Sequence, residues 1–86
     1  MLKIYGSMLC PDCVQCCDEL TAAGVAYDFY DFADSLMHLK EFLKIRDGSD
    51  LFDAARQAGS IGIPCIVAED DTVTLDWAPY VGQAEA

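Results

Sequence analysis

A chain of 86 residues, 53% of them apolar, has room for one packed domain spanning residues 1–86 and little else. Its 15 acidic against 5 basic residues give a formal charge of −10, a surface that repels nucleic acid and anionic lipid; no apolar run approaches the roughly 20 residues of a membrane span. No export leader precedes the first strand-like run and the cysteine count, 5, is odd, so the chain reads as cytoplasmic rather than as a secreted disulfide scaffold.

Residues 2–5 read as a first strand and residues 6–9 as a loop. Residues 11–23 suit a helix, with Pro11 tolerated in its first turn and Gly24 as its stop. Residues 25–32 alternate and carry Tyr27, Phe29, Tyr30 and Phe32, which marks a second strand whose aromatics serve packing. Asp34 or Ser35 caps a second helix with Leu36, Leu39, Phe42 and Leu43 as its apolar face and Lys44 and Arg46 near its C-terminal end. His38 reads as an exposed residue of that helix, and Lys40, Lys44, Arg46 and Arg56 as a solvated face or a docking patch. A shorter helical piece over residues 50–58 closes at Gly59. Residues 61–67 form a third strand with Pro64 at its head, residues 69–71 a hairpin turn, and residues 72–77 a fourth strand. The order βαβαββ is an α/β arrangement. Its first two strands should be parallel through a right-handed crossover, and its last two antiparallel.

Four of the five cysteines lie between Cys10 and Cys17, too close together to staple distant parts of a fold. Cys10-Pro11-Asp12-Cys13 falls after the first strand and opens a helix, where free N–H groups and the helix dipole favour a thiolate. That is an arrangement for thiol–disulfide exchange: Cys10 is the expected nucleophile and Cys13 the resolving thiol. Asp12 suits the helix start, yet its like charge opposes a thiolate at Cys10. Cys16 should face the sheet and Cys17 lie nearer the surface. Cys65 belongs either at the rim of the site or in the core as a small apolar residue. A competing reading is a non-catalytic redox sensor or a zinc or iron–sulfur module. A regular helix turns Cys16 and Cys17 to different sides, however, which opposes convergence of four sulfurs.

The C-P-x-C at the end of the first strand, the βαβαββ order, and Gly62-Ile63-Pro64 at the start of the third strand together resemble the glutaredoxins of the thioredoxin-like fold, over residues 1–77. In its C-P-D-C motif the chain is similar to small glutaredoxin-like proteins. The resemblance implies a four-stranded mixed sheet flanked by helices, here with a truncated C-terminal helix. It implies Cys10 and Cys13 as catalytic residues, and Leu9, Pro11, Asp12, Ile63, Pro64 and Cys65 around the substrate. Pro64 should be cis beside the cysteine pair, and Ile63 should offer its backbone to an extended thiol substrate. It implies no bound cofactor and no metal. The partners would be a disulfide-containing protein or a glutathione adduct, with electrons from glutathione or from a flavin-dependent reductase. The chain departs from the family where a basic residue usually precedes the first cysteine, since Ser7, Met8 and Leu9 stand there. It departs again where Leu75-Asp76-Trp77-Ala78-Pro79 replaces a Gly-Gly-x-Asp-like loop. Both departures lower the expected affinity for glutathione. Trp77 should either border the substrate groove or close the core.

Overall fold

The alternation of Leu2, Ile4 and Tyr5 around Lys3 sends side chains to both faces of an extended segment, and Leu2–Gly6 is the central strand β1. The structure, a computed structural model, describes residues 1–85, with side chains through residue 82. Helix α1 (Pro11–Ala22) follows, then strand β2 (Tyr27–Asp31), helix α2 (Leu36–Asp47), a 3₁₀ turn (Asp50–Phe52) and helix α3 (Asp53–Ala58). Strands β3 (Cys65–Val67) and β4 (Val73–Thr74) and helix α4 (Ala78–Glu85) complete the chain. The protein is thus α/β, with a four-stranded mixed sheet in the order β2-β1-β3-β4. β1 and β2 are parallel, Leu2 facing Tyr27 and Gly6 facing Asp31; β3 runs antiparallel to both β1 and β4. Among the described residues no helix is long and apolar enough to cross a membrane.

Two apolar cores form, one on each face of this sheet. On one side Leu2, Ile4 and Ile66 meet Cys16 and Leu20 of α1, with Tyr27, Phe29, Trp77, Tyr80 and Val81 packed around them. On the other, Tyr5, Cys65 and Val67 meet Phe42 of α2 and Phe52 of the 3₁₀ turn, flanked by Tyr30, Phe32, Leu39, Ile45 and Ile63. Period-two alternation explains the sorting: Tyr27 and Phe29 go one way, Tyr30 and Phe32 the other.

Three expectations are corrected. The buried stripe of α2 is Leu39, Phe42 and Ile45, whereas Leu36 is 70% exposed and Leu43 lies at the surface. The rotation of α2 is held by His38, whose Nδ1 lies 2.8 Å from the Asp31 carbonyl and whose ring packs edge-on against Tyr30. His38 is therefore half-buried rather than exposed. The last two strands are also shorter than their sequence suggests. Pro64 has no N–H to give to a ladder and Gly62 turns at φ +93°, so pairing begins only at Cys65. β4 stops because the Asp76 N–H bonds Thr74 Oγ1 (3.1 Å) and the Ala78 N–H bonds Asp76 Oδ1 (3.0 Å), turning the chain away from the sheet. Of the two candidate caps for α2, Ser35 does the work, accepting the Met37 N–H at 3.1 Å.

Candidate functional site

β1 delivers the chain to Gly6, whose carbonyl accepts the Phe32 N–H at 2.9 Å and so carries the β1–β2 pairing one step beyond the strands. The chain then tightens around Ser7. Its hydroxyl accepts the Leu9 N–H (3.1 Å) and its carbonyl accepts the Cys10 N–H (3.0 Å). Cys10 becomes the N-cap of α1 in extended conformation, φ −91° and ψ 120°, and its carbonyl accepts the N–H groups of Cys13 (3.1 Å) and Val14 (3.2 Å). Its side chain makes no capping bond, and the sulfur sits at the positive end of a 12-residue helix beside the Cys13 thiol.

All five cysteines are free; Cys10 is half-buried and the other four are buried. Cys13, one turn behind Cys10, is fully buried. Its seat is made by Gly6: a Cβ on that residue would stand 2.6 Å from Cys13 Sγ. Burial pushes the Cys13 thiol up to about 12; a backbone hydrogen bond from Ser7 works against this, and the adjacent Cys10 thiol adds to it.

A groove of about 570 Å³ runs beside Cys10, walled by Ser7, Leu9, Phe32, Ala33, Ile61 and Ile63. Leu9 is 92% and Ile61 54% exposed. Ile63 therefore stands beside Cys10 despite the distance in sequence, and the Ile63–Pro64 peptide that follows is cis. Of the other residues expected around the substrate, Pro11 and Asp12 are exposed on the first turn of α1, and Pro64 is buried. A larger cleft of about 720 Å³, bordered by Leu2, Val25, Glu69, Asp70 and Tyr80, contains no cysteine, so the groove at Cys10 is where sulfur chemistry has access.

Cys65, expected among the substrate contacts, is not at the rim. It pairs with Tyr5 in the sheet and is fully buried in the core beneath α2, where burial pushes its thiol up to about 12. Cys16 faces the sheet and is likewise pushed up to about 12 by burial. Cys17, expected nearer the surface, is buried because Tyr27 folds over it, its hydroxyl reaching the Cys17 carbonyl at 3.4 Å; burial raises this thiol too. Among the described residues no three His, Cys, Asp or Glu side chains converge as metal ligands. Trp77 packs in the core beside α1 rather than along the groove. In the basic cluster Arg46 and Arg56 are structural: Arg46 bonds the Ser60 carbonyl (3.1 Å), and Arg56 bonds the carbonyls of Arg46 (2.9 Å) and Ser49 (3.1 Å) and pairs with Asp53.

Gly6, Phe32, Ala33 and Ile61 are parts of the site that sequence reasoning did not single out. A glycine closing an apolar strand just ahead of C-x-x-C was the available signal for the first; the others come together only through the fold.

No protein-family model matches the chain, and no solved structure matches it. It is similar to an uncharacterized protein of Haemophilus influenzae, 39% identical over 73 residues that cover 85% of each chain.

Proposed function

The chain belongs to the family of this Haemophilus influenzae protein, and we propose that it is a dithiol thiol–disulfide oxidoreductase of glutaredoxin type. One observation carries the reading: Cys10, the one thiol of the five that is not buried, lines a groove at the head of α1, and Cys13 lies buried one helical turn behind it. The central four-stranded sheet with helices on both faces, and the cis Ile63–Pro64 bond beside the groove, also support a glutaredoxin-like, thioredoxin-like assignment.

The Cys10 thiolate attacks one sulfur of a substrate disulfide; that S–S bond breaks, and the departing thiolate takes up a proton. Cys13 then loses its proton and attacks Cys10 Sγ, releasing the second substrate thiol and leaving a Cys10–Cys13 disulfide. Two electrons have moved from the cysteine pair to the substrate. An external thiol reductant or a flavin-dependent reductase returns them. Ile63 lines the groove beside Cys10, where its backbone would pair with an extended substrate.

The test is trapping. Cys13→Ser should accumulate a covalent adduct with a disulfide substrate, visible as a mass increase that dithiothreitol reverses, and Cys10→Ser should form none. Adducts in Cys10→Ser, or no adduct in Cys13→Ser, would defeat the assignment of roles.

A further inference from the structure

We infer that the groove at Cys10 takes a polypeptide disulfide flanked by apolar and basic residues, and discriminates against glutathione disulfide. The inference rests on the dithiol reading and names the substrate class of that same site. The first observation is the character of the walls. Leu9, Phe32, Ala33, Ile61 and Ile63 are apolar, and Ser7 supplies the one hydroxyl, whose oxygen accepts the Leu9 N–H. A leucine 92% exposed beside a reactive sulfur gains most when an apolar partner side chain covers it.

The second observation is charge. No lysine or arginine occurs from residue 4 to residue 39, the span that supplies the end of β1, the Cys10 turn, α1, β2 and one wall of the groove. The same span carries Asp12 in the first turn of α1, and Asp31 and Asp34 on either side of Phe32 and Ala33. Near the opposite wall the guanidinium of Arg46 keeps its positive charge while bonding the Ser60 carbonyl at 3.1 Å, but Arg46 is not among the residues that wall the groove. Each half of glutathione disulfide brings two carboxylates and one ammonium, a net negative charge that a chain of formal charge −10 repels and that no cationic wall residue neutralises. A lysine or arginine beside the substrate cysteine meets the opposite sign, and apolar neighbours fit the walls.

Reduced full-length protein is mixed, in single turnover, with three probes: oxidised glutathione, the symmetrical disulfide of a blocked Leu-Cys-Phe-Lys peptide, and the same peptide with Glu for Lys. Formation of the Cys10–Cys13 disulfide is followed by quenching and mass spectrometry. Each rate is divided by that of dithiothreitol with the same probe, which removes leaving-thiol differences. The Lys peptide should react about tenfold or more faster than oxidised glutathione, with the Glu peptide between them, and added salt should narrow the Lys–Glu gap. Leu9→Lys should shrink the preference for the Lys peptide over oxidised glutathione. Oxidised glutathione matching the Lys peptide, equal Lys and Glu rates at low salt, or an unchanged preference in Leu9→Lys would each overturn the inference while leaving the dithiol reading in place. Failure of all three probes to oxidise the cysteine pair would instead overturn the dithiol reading, and the inference with it.

Discussion

Gly6→Ala probes the close approach that seats the Cys13 thiol. The added methyl would lie 2.6 Å from Cys13 Sγ, while its 3.5 Å approach to Phe29 Cζ is ordinary contact. Carbon–sulfur contact is comfortable near 3.5–4 Å, so the sulfur must retreat by about 1 Å. It cannot swing into solvent, because Cys13 is fully buried on a helix packed against the sheet. Overpacking of this kind costs about 1–3 kcal/mol, and replacing a strand glycine returns roughly 0.5–1, leaving a net change between about zero and a loss of about 2.5 kcal/mol. A displacement of about 1 Å in a reacting atom can cost roughly 100-fold in rate. On the dithiol reading, the step assigned to Cys13 should therefore slow about 10- to 100-fold, while capture by Cys10 changes little.

Two measurements check this. Urea unfolding of the reduced protein gives the stability loss, and Gly6→Ala/Cys13→Ala, which removes the sulfur the methyl strikes, should recover about 1 kcal/mol of it as a coupling energy. Rapid quenching with a disulfide substrate should show the mixed disulfide persisting in Gly6→Ala as it does in Cys13→Ser. Additive stability effects in the double variant, or unaltered lifetime of the mixed disulfide, would refute the reasoning.

Iodoacetamide at pH 7 should modify Cys10 alone in the native protein, because a thiol ionising near 12, as at Cys13, Cys16 and Cys65, holds about one thiolate in 10⁵ molecules; two or more native sites labelled at equal rates would contradict it. Stability should fall in alkali: the unfolded thiols ionise from 9.0 and the folded ones only near 12, so the contribution is whole below pH 9 and is lost as pH rises from about 9 to about 12. The slope is about 1.4 kcal/mol per pH unit for each such thiol, and Cys65→Ala should lessen it by one thiol's share in urea melts between pH 9 and 10.5. Gly62→Ala should cost about 2 kcal/mol or more in the same melts, since φ is +93° and the new Cβ would meet Phe52 Cδ2 at 2.7 Å.

Local signals were legible wherever one residue type has one physical use. Pro11 followed by an amphipathic run gives α1, and Gly59 ends α3 in the left-handed region at φ +73°. What escaped depended on tertiary choice. Helix α2 offers Leu36, Leu39, Phe42, Leu43 and Ile45, enough apolar positions for more than one stripe. The bond from His38 to the Asp31 carbonyl decides among them, and nothing in the local pattern announces it. Cys17 was misplaced for a similar reason. Its position on α1 suggests the flank of the helix, but Tyr27, ten residues on, lies over it. Cys10 and Cys13 were legible as a pair from spacing; that Phe32, Ala33, Ile61 and Ile63 would wall the same groove follows only from β1, β2 and the segment before β3 lying side by side.

The unequal exposure of the two thiols constrains the return half of the cycle. On the dithiol reading, Cys13, fully buried beside Gly6 in the reduced form, is the sulfur that an external thiolate reaches less readily in the Cys10–Cys13 disulfide. A reductant should then attack Cys10 Sγ, and the approach to Cys10 is the groove between Leu9 and Ile61. On the dithiol reading, substrate and reductant enter by one door, so the chemistry that selects the first selects the second. Leu9→Lys, by placing a cation at that door, should raise the rate of re-reduction by glutathione in step with the rate of reaction with oxidised glutathione. Stopped-flow measurement of both half-reactions tests the link: a gain in one direction with none in the other would mean that the reductant reaches the disulfide along a different path.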